Sequence, residues 1–370
     1  MKITCDREKL LAAWQVARNV APARSPKPIL QNIKLEVQAD RATLLATDLE
    51  TGLRIDLTGV DAEQPGGILL PVLRFGSILS ESSDASLRIE SDGQTILVRG
   101  DRSEFKLPAI DPHAFPSVVE FNESKYQVAP ARLVRELIRR TVFATDDESS
   151  RYALGGVLLE FAPDKITAVG TDGRRLAKME GPATSVGDHH TVEGMTIVPS
   201  KAMQLIERTL GEPDAEVHIA ARGNDVLVRC GRVTIYSRLV EGRFPRWRDV
   251  VPQRNAHKIN LVAGPFHSAV RQAAIVTSEE SRGIDFSFAE GRLILAARAA
   301  DAGQARVELP IDYSGSEVGI TLDPRFVSDF LRVLDPDKTI TFDIKDSEAA
   351  AMLLTDDGYN YVIMPLARDK

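Results

Sequence analysis

Cysteine is nearly missing: Cys5 and Cys230 are the only two in 370 residues. That excludes a disulfide framework or a multi-cysteine zinc site, and both are expected as buried free thiols. No stretch approaches the roughly 18 apolar residues of a membrane span, and the opening MKITCDREKLLAAW has no long apolar run. A cytoplasmic protein is expected, with no membrane partner. Excess positive charge is missing too. The formal net charge of −7 speaks against gripping nucleic acid by bulk electrostatics, which needs strong basic patches.

Catalytic signatures are also lacking. There is no G-x-x-x-x-G-K-S/T phosphate loop, no H-E-x-x-H zinc pair and no G-x-S-x-G elbow. The six histidines are scattered apart from His189-His190, a pair expected at a loop tip. No cofactor or metal is expected. The best enzymatic candidate is the acidic run Asp146-Asp147-Glu148, which could hold magnesium in a nuclease, although acidic loops are usually only solvated.

What is present is a folded composition, 43% hydrophobic and 27% charged, in a chain too long for one ordinary core. A repeat of about 125 residues runs through it. Its marker is an apolar strand, then proline or aspartate, then a helix with an early basic residue: Leu70-Pro71-Val72-Leu73-Arg74-Phe75, Val198-Pro199-Ser200-Lys201-Ala202-Met203 and Leu322-Asp323-Pro324-Arg325-Phe326. Alternating strands recur at Ser86–Glu90, Glu216–Ala220 and Thr339–Asp343. They lead into turns at Asp92-Gly93, Gly223-Asn224 and Asp346-Ser347, and final strands follow at Ser103–Leu107, Val233–Arg238 and Tyr359–Met364. The first half of each unit repeats the pattern around helices expected at Asp6–Asn19, Pro130–Thr141 and Pro265–Thr277. The predicted fold is therefore α+β, with three repeated domains at 1–122, 123–252 and 253–370. Each domain is two strand-helix-three-strand halves. Proline-bearing linkers fall at Pro108–Ser124 and Gly242–His257.

Charge is segregated on this frame. The six predicted helices together carry +8, leaving −15 on the rest of the chain. In the helix Pro130–Thr141, Leu133, Val134, Leu137 and Ile138 form an apolar stripe, with Arg132, Arg135, Arg139 and Arg140 largely off it. Scattered cations without a base-reading motif would meet phosphates with no sequence preference. A domain of this size is a sphere about 35 Å across, and a closed ring of three such spheres leaves a gap of only about 5 Å. Six leave about 35 Å by the same estimate, enough for a duplex of roughly 10 Å radius with its water. Six domains require two chains, and cyclic symmetry lets them join head to tail through exposed end strands.

Five motifs then point to a family: Pro28-Ile29-Leu30-Gln31-Asn32, Thr47-Asp48-Leu49-Glu50, Thr171-Asp172-Gly173-Arg174-Arg175-Leu176, Glu241-Gly242-Arg243-Phe244-Pro245 and Tyr361-Val362-Ile363-Met364-Pro365-Leu366. Over its whole length the chain resembles the beta subunit of bacterial DNA polymerase III, the sliding clamp family. The resemblance implies a non-catalytic processivity factor of the DNA-clamp fold, a homodimeric ring with helices inside and sheets outside that encircles double-stranded DNA. It also implies an ATP-driven clamp loader, the replicative polymerase alpha subunit and other proteins with clamp-binding motifs as partners. By matching motifs, a partner-peptide pocket would use Leu154, Thr171, Gly173, Arg174, Arg175, Leu176, Pro245, Val250, Val362, Met364, Pro365 and Leu366. Contacts to DNA would come from Arg24, Arg74, Arg151 and Tyr152, and the dimer joint from Phe105 and Leu107 against Ile275 and Val276. Arg174 stands where many relatives have histidine, Asp249 where some have arginine, and Arg368-Asp369-Lys370 extend past the usual end. These departures bear on peptide selectivity.

Two other readings are distinguishable. A magnesium-dependent nucleic-acid enzyme would cleave DNA, and a protein-only adaptor would share the pocket without enclosing a duplex.

Overall fold

In the computed structural model, residues 1–146, 148, 153–191, 194–252, 257–278 and 282–366 are described. The chain divides into two compact units. One comprises Met1–Val134, Thr184–His189 and Lys201–Leu239, and the other Arg135–Ala183, His190–Ser200 and Val240–Lys370.

Six α-helices punctuate the strands: α1 Arg7–Ala17, α2 Val72–Glu81, α3 Ala131–Arg139, α4 Ser200–Thr209, α5 Ala263–Ala273 and α6 Pro324–Arg332. Each is preceded by a strand and followed by three, so the strand-helix-three-strand half recurs six times, with extra strands at Val60–Gln64 and Thr184–Val186. Helix starts follow from capping chemistry. Asp6 caps α1 by accepting from the Lys9 amide at 3.0 Å, and Asp323 caps α6 by accepting from the Arg325 amide at 2.9 Å, ahead of Pro324 in the first turn. No described helix is long and apolar enough to cross a membrane.

The first unit holds a five-stranded and a nine-stranded sheet, the second an eight-stranded and a four-stranded sheet. Alternation buries one face of strands such as Lys2–Asp6, where Ile3 and Cys5 point inward while their neighbours stay partly exposed, whereas the strand Ala42–Thr47 is buried at every position. In the nine-stranded sheet Thr51–Asp56 pairs with Val233–Arg238, with Gly52 opposite Tyr236. In the eight-stranded sheet Arg175–Pro182 pairs with Tyr359–Ile363, with Leu176 opposite Val362.

Both cysteines are buried and free, and burial pushes the Cys5 thiol up to about 12. Two expectations are corrected. His189 is not at a loop tip: it is 5% exposed, its carbonyl accepts from Ser185 Oγ at 3.1 Å and its Nε2 accepts from the Ala221 amide at 3.1 Å. Arg140, expected largely off the apolar stripe among the cations of its helix, is not left as a free cation. Its guanidinium pairs with Glu136 at 2.7 Å and Asp357 at 3.0 Å and lies 5.2 Å from the ring centre of the buried Tyr359.

Candidate functional site

The site begins with a hairpin. Between strands Lys165–Thr171 and Arg175–Pro182, Asp172 Oδ1 accepts from the amides of Arg174 at 2.9 Å and Arg175 at 3.0 Å. Thr171 Oγ1 accepts from the Gly173 amide at 3.1 Å and donates to the Arg175 carbonyl at 2.6 Å. Gly173 sits at φ +84°, where a side chain is strained. These bonds are why threonine, aspartate and glycine stand in that order.

Arg175 fixes the hairpin to the rest of its unit. Its Nε donates to Asp172 at 3.0 Å, its Nη1 to Asp329 at 2.6 Å and its Nη2 to the Phe143 carbonyl at 2.8 Å. The guanidinium lies between the rings of Phe326 and Phe143, 4.5 and 5.4 Å from their centres. Burial opposes its charge, but Tyr361, Asp329 and Asp172 more than offset that and hold its pKa above the ordinary value. Arg175 is thus a structural tie whose charge is already matched.

Beside this hairpin lies an apolar cavity of about 390 Å³. Leu154, Leu176 and Val362 are buried in its lining, while Val250 and Met364 stand half exposed. Thr171, Gly173, Arg174, Arg175 and Pro245 complete ten of the twelve residues expected from the motifs. The other two, Pro365 and Leu366, are not in the lining. The Met364 amide donates to the Arg174 carbonyl at 2.9 Å, whereas the Leu366 amide turns to the Thr321 carbonyl at 2.9 Å and its side chain lies near Gly283. In their place the cavity has Arg246 and Trp247, which no motif singled out. A tryptophan two residues beyond Phe244-Pro245 in a proline-bearing linker is the signal that was available. Such a lining suits a ligand that buries a few apolar anchors.

Three models of the DNA polymerase III beta subunit match in order, the N-terminal domain at residues 1–119, the central domain at 128–246 and the C-terminal domain at 248–367. A beta sliding clamp of Pseudomonas aeruginosa is 33% identical over 374 residues, covering 99% of this chain and the whole relative, and one of Pseudomonas putida is 32% identical with the same coverage. The chain belongs to the beta sliding clamp family. The P. aeruginosa clamp solved with griselimycin superposes with a TM-score of 0.93 at 30% identity, covering both chains completely.

A sliding clamp is the non-catalytic processivity subunit of DNA polymerase III, and duplex DNA and the polymerase are the partners its family implies. The acidic run is therefore not a catalytic centre. Asp147 lies outside the described residues, and Asp146 Oδ1 accepts from the Glu148 amide at 3.0 Å as in a turn.

Of the clamp's expected DNA contacts, Arg24 is exposed in the loop Ala21–Pro28 and Arg74 in the first turn of α2, neither in an ion pair among the described residues. Arg151, Tyr152 and the terminal Arg368-Asp369-Lys370 lie outside the described residues. The expected joint residues separate by burial. Phe105 is 37% exposed on Glu104–Pro108, a strand paired only with Thr95–Arg99 among the described residues. Leu107, two residues along and therefore on the same face of the strand, is 8% exposed; the two lie opposite the buried Val98 and Ile96, with Phe105 the more open of the pair. Ile275 is 78% exposed, and its turn Ala274–Val276, with Val276 partly buried, packs on Gly303–Pro310, again a strand paired on one side only among the described residues.

Proposed function

We propose that two copies of this clamp chain close head to tail into a ring around duplex DNA, each chain folded as three domains near 1–122, 123–252 and 253–370. The ring tethers the replicative polymerase alpha subunit and other DNA-processing proteins through the apolar cavity and is opened by an ATP-driven loader. The observation that carries the reading is a pair of half-paired strands, Glu104–Pro108 and Gly303–Pro310, each beside an exposed apolar side chain, Phe105 or Ile275. Open edges of this kind are a liability unless a partner strand covers them, and two dissimilar edges on one chain suit head-to-tail closure. Arg24, Arg74, Arg151 and Tyr152 are the phosphate-facing candidates, holding DNA without reading it.

Retention on DNA tests enclosure. After loading, the protein should stay on closed circles through salt that disrupts phosphate contacts and leave once the circle is cut. Equal loss from both forms would mean adhesion. Phe105→Asp should yield monomers in sedimentation, because an unpaired charge would be buried at the joint. Met364→Ala should weaken polymerase binding about tenfold with the dimer intact, while Leu366→Ala, off the cavity, should not.

A further inference from the structure

Trp247 stands between two cavities. The apolar cavity of about 390 Å³ and a second recess of about 140 Å³ share Pro245, Arg246 and Trp247 as a common wall. Unlike the first, the recess is charged. In it Arg248 pairs with Glu160 at 2.7 Å and Arg246 with Asp249 at 3.2 Å. Arg243, whose stem packs near Gly194, has no ion-pair partner among the described residues, so the unmatched charge there is positive.

The position of the indole is not secured by its polar atom. Nε1 is shielded from water and has no hydrogen-bond partner among the described residues, an arrangement that folded proteins seldom keep without a reason. What holds the ring is apolar packing on the cluster of Leu158, Leu176 and Val362 and the Arg248 guanidinium 4.3 Å from its centre. Trp247 lies on a short 3-10 turn, Trp247–Val250, whose residues 248–250 are exposed, so a turn of the ring disturbs little else.

We propose that a peptide seated in the apolar cavity turns Trp247 so that its indole N–H meets a peptide carbonyl, opening the way into the recess, where a carboxylate beside the apolar anchors pairs with Arg243. This rests on the peptide-pocket reading above and narrows it: the preferred partner is a peptide with an acidic residue adjoining its apolar anchors.

The test titrates the full chain with a short apolar peptide and with the same peptide extended by aspartates, following tryptophan emission. The only other tryptophan, Trp14, is 1% exposed and donates to the Val72 carbonyl, so a change on binding reports Trp247. The extended peptide should bind about tenfold tighter, a gain typical of a charge-assisted pair. Arg243→Gln should erase that gain and leave the short peptide unaffected. Trp247→Phe should weaken both peptides about fivefold and leave the acidic advantage in place, since the N–H serves the peptide carbonyl and Arg243 the carboxylate. Emission unchanged by bound peptide, an acidic advantage that survives Arg243→Gln, or peptide binding undiminished in Trp247→Phe would each overturn the proposal while peptide binding itself, lost in Met364→Ala, kept the pocket. If neither peptide binds, the pocket reading fails with it.

Discussion

The first unit contains a joint built like the one at the cavity, yet the two differ in what covers them. Thr47-Asp48-Leu49-Glu50-Thr51 folds as the same hairpin turn as Thr171 to Arg175. Thr47 Oγ1 donates to the Thr51 carbonyl at 2.8 Å and accepts from the Leu49 amide at 3.0 Å, and Asp48 Oδ1 accepts from the amides of Glu50 and Thr51 at 3.0 and 2.6 Å. The following linkers also correspond, Phe115-Pro116-Ser117-Val118 and Phe244-Pro245-Arg246-Trp247. The difference lies at the residue after the turn. Gly52 in the first joint occupies the place of Leu176 in the second. Without a side chain at Gly52, Val118 settles over the sheet, 8% exposed, and its carbonyl accepts from Arg54 at 3.0 Å. Leu176 fills that space, and its joint keeps an apolar cavity open. The same hairpin turn thus borders an apolar cavity where Leu176 and Trp247 stand in the places of Gly52 and Val118.

The contrast breaks most severely at Arg175, whose counterpart is Thr51. Arg175→Met leaves Asp172 and Asp329 largely buried without their main cation, and removing one partner of such a pair should destabilise by about 2–4 kcal/mol. Thr51→Val should stay within about 0.5 kcal/mol. Chemical denaturation of both variants decides it, and equal losses would mean that Arg175 ties nothing. Next in size is Gly52→Leu. A Cβ at Gly52 already lies 2.9 Å from Val118 Cγ1, so overpacking should cost about 1–3 kcal/mol. Adding Val118→Ala should recover much of that, and the coupling is measured by the double-mutant cycle. Additive effects would sink the claim that the two side chains exclude one another.

The architecture was legible because its signals are local. Alternation placed Val233–Arg238 without error, and each helix ends within a few residues of its expected limits because capping residues such as Asp6 and Asp323 mark the starts. The Thr171-Asp172-Gly173 order entered only as part of a family motif, although its side chains build a hairpin turn from local bonds. What escaped depended on contacts distant in sequence. The apolar stripe of α3 says which way Leu137 and Ile138 face, but not that Tyr359 would take the Arg140 guanidinium. Trp247 escaped because a linker has no periodicity to show where a ring will point. Pro365 and Leu366 were included with Met364 as parts of one matched motif, whereas the chain leaves the cavity once Met364 has bonded to Arg174.

The smallest effect concerns the turn residue itself. Gly173 at φ +84° and Leu49 at φ +82° hold one backbone conformation with different side chains. Nothing lies within 4 Å of a Cβ built on Gly173, so Gly173→Ala meets only backbone strain and should lose about 1–2 kcal/mol. For Leu49→Gly the sign depends on two opposed terms. Relief of left-handed strain contributes about 1–2 kcal/mol, and the greater freedom of glycine in the unfolded chain takes back about 0.5–1 kcal/mol. Leu49 is 38% exposed, so little packing is lost, and a net gain of about 0.5–1 kcal/mol is expected from those two terms. Thermal unfolding of the two variants in parallel should move Tm in opposite directions. A destabilised Leu49→Gly would show that this side chain packs strongly enough to hold a conformation that the second joint reaches with glycine.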